Sequence, residues 1–370
     1  MAATPQRTAG DRTVPGDGPG PGDRRSGVGR AHGKAILLGE HAVVYGAPAL
    51  AVPVPQLPVV ASATPRPGNG GADQVTFELS GPGSTSRMAS SSSGLLRLVA
   101  EFRDWAGIAD GPRAHVLIDC SIPQGRGLGS SAACARAAVL ALADLLGRRL
   151  DARATFDLVQ ASEKVTHGRA SGIDAVATGA ASPLLFRSGT ARELPLPTPG
   201  DGSPPAGERA EEGAGARAAA DASSAPGARF VIADSGVSGG TWEAVELLRR
   251  RFEREPRIRE AFVGQVSDLT NEAVHDLAHG RWSDFGRRMT ENHRLLRELG
   301  ISTERIDALV GAALGAGSLG AKLSGGGLGG CMIALAGGPA RAAAVVSALR
   351  DAGAVRTWIV PAGRYAHHAD

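Results

Sequence analysis

The segment HVLIDCSIPQGRGLGSSAACARAAVLALADLL (115–146) constrains this chain more than any other. A strand-like apolar run feeds a loop containing Gly125, Gly127 and Gly129, and Ser130 and Ser131 lead straight into a helical pattern of small residues. In such an arrangement backbone N–H groups converge on an anion, because the first turn of a helix leaves its amides unpaired. Glycine lets the backbone approach a phosphate closely. Either serine could cap the helix, and a serine hydroxyl is also a hard oxygen ligand for a divalent cation. An ordinary glycine turn with a serine cap would be written with the same residues, and the segment alone does not choose. It is not a Walker A motif, because no Lys-Ser or Lys-Thr closes it.

Two further stretches concentrate chemistry. In ASEKVTHGRASGIDA (161–175), Glu163 lies on a helix predicted to end around His167–Gly168, and Asp174 follows a Ser-Gly turn. Carboxylates so placed can face one cavity, one holding a metal while the other takes a proton from a hydroxyl. The plainer alternative makes Glu163 a solvated helix residue, Asp174 a cap and His167 a partner of the helix dipole. In AKLSGGGLGGCMIAL (321–335), five glycines fall within six positions between two strand-like runs. That is more than a hairpin turn needs, and it predicts close backbone approach, as a second wall over a nucleotide or substrate; a loose glycine loop is the alternative. GAGSLG (315–320) formally matches a dinucleotide fingerprint. It closes a helix and leads into a strand, the reverse of the order that fingerprint requires.

Composition excludes some function classes. A net charge of +3 with scattered basic residues argues against a nucleic-acid groove or a membrane surface. Three cysteines (Cys120, Cys134, Cys331) with no CxxC spacing argue against a disulfide framework or structural zinc and suit a reducing cytoplasm. No secretory leader and no long apolar run is present, so a soluble, cytoplasmic protein is expected. At 370 residues the chain suits two domains. Residues 1–29 are rich in Pro, Gly, Arg and Asp and read as a disordered tail. Residues 195–227 read as a low-complexity flexible insertion between domains at 30–194 and 228–370. Short strands are expected at 34–40, 48–54 and 75–80, and helices alternate with strands through both halves, predicting an α/β or α+β architecture.

Taken together, PQGRGLGSSAA (123–133), EKVTHGRASGID (163–174) and KLSGGGLGGC (322–331) resemble the motifs of the GHMP small-molecule kinases, in their order and over roughly residues 30–365. GKAILLGEHAVVYGAPALAVPV (33–54) is most similar to the mevalonate-phosphorylating branch of that superfamily. The resemblance implies an α+β GHMP kinase fold. An N-terminal domain like ribosomal protein S5, with a left-handed βαβ crossover, would pack on a C-terminal ferredoxin-like domain.

The implied activity is ATP-dependent phosphorylation of the 5-hydroxyl of mevalonate, with Mg²⁺, in isoprenoid biosynthesis. The loop of Gly125, Arg126, Gly127, Leu128, Gly129, Ser130 and Ser131 would wrap the ATP phosphates. Ser131 and Glu163 would hold Mg²⁺, and Asp174 would be the general base with Lys34 beside it. Glu40, His41, Tyr45, Ser235, Thr241, Gly325 and Gly326 would line the substrate side. No nucleic-acid or membrane partner is implied, and a homodimer is an expectation the family carries. The alternatives are another GHMP kinase, above all phosphomevalonate kinase, or a non-catalytic ligand-binding member. Against the last, Lys34, Ser131, Glu163 and Asp174 are all present. Ala170 stands where the family usually has proline, which predicts a looser turn before Asp174. Leu328 interrupts the last glycine run.

Overall fold

Two long antiparallel strands, β1 (Gly27–Leu38) and β2 (Ala49–Pro65), form the spine of the first half. The computed structural model describes residues 26–66, 75–81, 93–108, 113–168, 170–194 and 227–362. From β3 (Val75–Ser80) the chain passes through α1 (Ser93–Ala106) to β4 (Ala114–Cys120), which lies parallel to β3 and antiparallel to β2. The helices α2 (Ser130–Leu145), α3 (Ala152–His167) and α4 (Ile173–Ala177) follow. The hairpin of β5 (Leu184–Arg187) and β6 (Thr190–Glu193) then completes a six-stranded sheet.

Small residues explain how this half closes with so few aromatics. Helix α2 buries a run of alanines against β1. A Cβ on Gly29 would lie 2.0 Å from the Ala137 carbonyl oxygen, and one on Gly27 2.1 Å from that of Ala141. Only glycine permits that approach. This corrects the sequence reading of residues 1–29 as tail, since Gly27–Gly29 are paired with Ala61–Ala63 in β1 and β2. Glycine carries no hydrophobic signal, so composition assigned these positions to the neighbouring polar stretch. The spine strands are also longer than the short strands expected. Residues 1–25 of the expected tail, and 195–226 of the expected insertion, lie outside the described residues.

The second half runs β7 (Arg229–Asp234), α5 (Thr241–Arg254), α6 (Pro256–Ala278), α7 (Trp282–Glu298), α8 (Glu304–Gly315), β8 (Gly320–Ser324), β9 (Cys331–Ala336), α9 (Pro339–Asp351) and β10 (Arg356–Pro361). Its four strands are antiparallel in the order β10-β7-β9-β8, the ferredoxin-like arrangement. GAGSLG indeed ends a helix and enters β8.

Strand β7 is buried on both faces. Phe230 and Ile232 join a core that extends through the first half, while Val231 and Ala233 join a separate core with α5, α8 and α9. Alternation along one strand therefore ties the halves together through a shared core. No described helix is long and apolar enough to cross a membrane.

Candidate active site

Lys34 sits in the middle of β1 with its side chain only 3% exposed, a position open to lysine only if its charge is met. It is met twice. Its ammonium lies 3.0 Å from Asp174 Oδ1 and donates to the Gly127 carbonyl at 3.0 Å. The Lys34 backbone N–H also donates to the Leu128 carbonyl at 3.0 Å, so the strand and the glycine loop are fixed to each other. Asp174, on the first turn of α4, is 32% exposed, which leaves its carboxylate accessible from the cleft.

Gly129 takes the position before α2 with φ 79°, in the left-handed region, and no side chain caps the helix. Neither serine is the cap, so the reading of this segment as a serine-capped turn fails. The first-turn amides of α2 remain available to an anion. Ser131 Oγ lies 3.2 Å from His167 Nε2, on the last turn of α3.

Glu163 is buried one turn earlier on α3, with Oε2 3.7 Å from the His167 ring and Oε1 without a partner. Burial, then the negative charge of Asp174, pushes its pKa up to about 7, against the Ser131 hydroxyl and Lys34. A carboxylate that is buried, half-paired and beside a hydroxyl has the donor chemistry of a hard cation site. Among the described residues no group of three or more His, Cys, Asp or Glu could hold a metal by itself.

The GEH turn forms the opposite wall. His41 adopts φ 61°, an uncommon conformation for a side chain with a Cβ, and its buried Nε2 has no partner. Burial holds its pKa down at about 4, against the pull of the Gly326 carbonyl, so the ring is neutral near pH 7. Glu40 is buried and paired with Lys322, a fully buried lysine on β8, while Glu40 Oε2 has no partner. Burial raises the Glu40 pKa and lowers that of Lys322, each opposed by the other's charge. The pair crosses between the halves and fixes the turn against the second sheet.

These groups surround a cavity of about 430 Å³. Lys34, Glu40, His41, Gly125, Gly127, Gly129, Ser130, Ser131, Glu163, Asp174, Thr241, Gly325 and Gly326 all line it, so most of the expected site residues meet at one place. Four do not line it. Leu128 is packed in the core. Arg126 binds Asp234 at 3.0 Å and the Ser238 hydroxyl at 2.9 Å, which commits its side chain to the seam between the halves. The Tyr45 ring meets Phe252 edge-on at 5.4 Å, and the Ser235 hydroxyl accepts from the Val237 amide at 3.2 Å.

Sequence reasoning missed Lys322 and Gln160. Lys322 was visible as a lysine inside an apolar strand run, which needs a buried partner. Gln160 had only a weak signal, its position one helical turn before Glu163.

Known proteins share this architecture. The N-terminal domain model of the GHMP kinases matches residues 90–181, and the C-terminal model matches 273–355. The mevalonate kinase of Thermococcus onnurineus is 32% identical over 347 residues, covering 87% of this chain and 92% of that protein. Among solved structures, Leishmania major mevalonate kinase in complex with R-mevalonate superposes with a TM-score of 0.70 at 22% identity, over 91% of this chain and 96% of that one. Streptococcus pneumoniae phosphomevalonate kinase, bound to phosphomevalonate and AMPPNP, reaches 0.67 at 16% identity, over 90% and 99%. The structural likenesses establish the fold and do not separate substrates. The sequence relationship is more specific, and by it the chain belongs to the mevalonate kinase family of the GHMP kinases.

Proposed function

We propose that the chain transfers the γ-phosphoryl group of ATP to the 5-hydroxyl of mevalonate. The observation that carries this reading is the Lys34 ammonium, 3.0 Å from Asp174 Oδ1 and 3.0 Å from the Gly127 carbonyl. One cation thereby joins a carboxylate able to accept a proton to the loop at the start of α2. The first-turn amides of α2 would hold the ATP phosphates, because unpaired N–H groups and the helix dipole favour negative charge. Glu163 and Ser131 fit Mg²⁺, which when bound neutralises charge on the phosphate oxygens.

Asp174 orients the attacking hydroxyl and takes its proton as the new O–P bond forms. Lys34 holds Asp174 in place and faces the charge that develops on the transferred group. Phosphoryl transfer demands mainly positioning and neutralisation, and these residues supply both. His41 and Glu40 line the substrate end, where the neutral ring and the free carboxylate oxygen can meet substrate hydroxyls.

ADP release in a coupled assay across mevalonate, phosphomevalonate, homoserine and galactose tests this reading. Turnover of mevalonate is expected to dominate, and turnover of phosphomevalonate without mevalonate overturns it. We place the reaction in the cytoplasm, in keeping with the free cysteines. A homodimer in solution is proposed as well; light scattering would show twice the 37.6 kDa chain mass.

A further inference from the structure

Asp174 reaches the site through the turn Ala170–Gly172, and little backbone hydrogen bonding holds that turn. Outside the helices' own ladders, Gly168 donates to the Lys164 carbonyl and Thr178 to the Asp174 carbonyl. Among the described residues Ala170, Ser171 and Gly172 take part in no backbone bond outside the α4 ladder. Two contacts do restrain it. The Ile173 amide lies 3.4 Å from Ser171 Oγ, and the Phe156 ring packs so close to Gly172 that an added Cβ would sit 2.9 Å from Cζ.

The strongest restraint comes from elsewhere. Gln160, buried on α3 one turn before Glu163, donates its side-chain Nε2 to the Ala170 carbonyl at 2.7 Å. A carbonyl can only accept, so the amide NH₂ must face it, and Oε1 is left buried without a partner in a residue that lines the cavity. A buried amide with half its hydrogen-bonding capacity unused is costly unless its other half is needed.

We propose that Gln160 is a positioning residue for Asp174: its side-chain amide holds the Ala170–Gly172 turn so that the Asp174 carboxylate stands against Lys34 and the substrate hydroxyl. This rests on the assignment of Asp174 as the base. One helix face then serves both carboxylates of the site. Glu163 projects from it directly, and Asp174 is anchored to it through Gln160 and the turn. The restraint offsets the looseness that alanine at 170 would otherwise allow.

The test uses Gln160→Met, which keeps size and removes the donor, and Gln160→Glu, which keeps shape and loses the donor when ionised. Displacements of about 1 Å at a reacting group cost up to roughly 100-fold in rate. Gln160→Met is expected to lower kcat roughly 10- to 100-fold with the KM for ATP within about twofold of wild type. Amide hydrogen exchange should quicken in a peptide covering 170–175 and stay unchanged in α2 and the second half. Gln160→Glu should lose activity near pH 8 and recover relative to wild type as acid restores its proton and thus its donor.

Wild-type kcat in Gln160→Met overturns the proposal. So does faster exchange across the whole chain combined with no acid recovery in Gln160→Glu, because the residue would then be merely structural. If wild type fails to turn over mevalonate, the substrate assignment falls instead, while the exchange experiment still reports on the turn.

Discussion

Gly125–Gly129 and Gly325–Gly330 lie on two sides of one cleft, yet a methyl group added to each would meet different surroundings. At Gly125 it would find only the Ser238 side chain, at 3.7 Å, an ordinary contact. At Gly327 it would lie 2.3 Å from Ile301 Cγ2 and 2.7 Å from the Ile301 carbonyl oxygen, and at Gly329 2.7 Å from that of Ser238. The first loop is open only at Gly125; at Gly127 a Cβ would come 3.1 Å from the Ser324 carbonyl oxygen and at Gly129 3.0 Å from Lys34 Cγ, tight contacts rather than collisions. The second uses glycine for contact, with Ile301 and Ser238 of its own half and, at Gly325 and Gly330, with the backbone of the first loop. Gly325 is where they meet, since a Cβ there would sit 2.8 Å from Gly127 Cα. Of the second loop only Gly325 and Gly326 face the cavity, so its role as a wall is narrower than its sequence suggested.

The contrast can be broken by substitution. Gly327→Val combines a φ of 79° with a backbone collision and should cost more than about 4 kcal/mol, read as a lowered denaturant midpoint or loss of folded protein. Wild-type stability in that variant would remove the packing role of the second loop.

A smaller effect comes from two buried histidines that both feel Lys322, His41 beside Gly326 and His293, whose Nδ1 accepts from the Leu323 amide at 3.3 Å. Burial first, then Lys322 acting against Asp307, holds His293 down at about 4; His41 is held at the same level. Between about 4 and the usual value near 6.5, the unfolded chain binds protons that the folded chain does not. Stability should therefore fall as pH drops through that window, by up to about 3 kcal/mol per group. His293→Gln should flatten the acid side of a stability–pH profile, and an unchanged profile would contradict the assignment.

The smallest effect on stability belongs to Gly125→Ala, about 1 kcal/mol for alanine at a φ of 65°. Its larger consequence should appear in the KM for ATP, raised about tenfold because the loop no longer fits the phosphates. A large loss of stability with an unchanged KM would make the two loops equivalent.

Much of this was legible before any coordinates. The order of strands and helices followed from periodicity, while each glycine-bearing motif alone left a plainer alternative open and only their joint resemblance to the GHMP kinases put them at one site. What escaped depended on contacts between distant segments. Nothing in GRGLG says that Arg126 turns to Asp234, or that Tyr45 packs on Phe252 rather than facing the cavity. The cap at Gly129 escaped for a different reason. Serine is the commoner capping residue, and only the left-handed backbone at glycine moved the helix start by one position. Gln160 looked like any polar residue on a helix until the fold brought Ala170 against it.

The most direct test of the catalytic assignment is Asp174→Asn, measured as initial rate with ATP and mevalonate alongside nucleotide binding by calorimetry. The variant keeps shape and loses the base, so kcat should fall at least about 1000-fold while the Kd for ATP stays within about threefold. Turnover within tenfold of wild type would contradict the account, because the proton would then be leaving by another route.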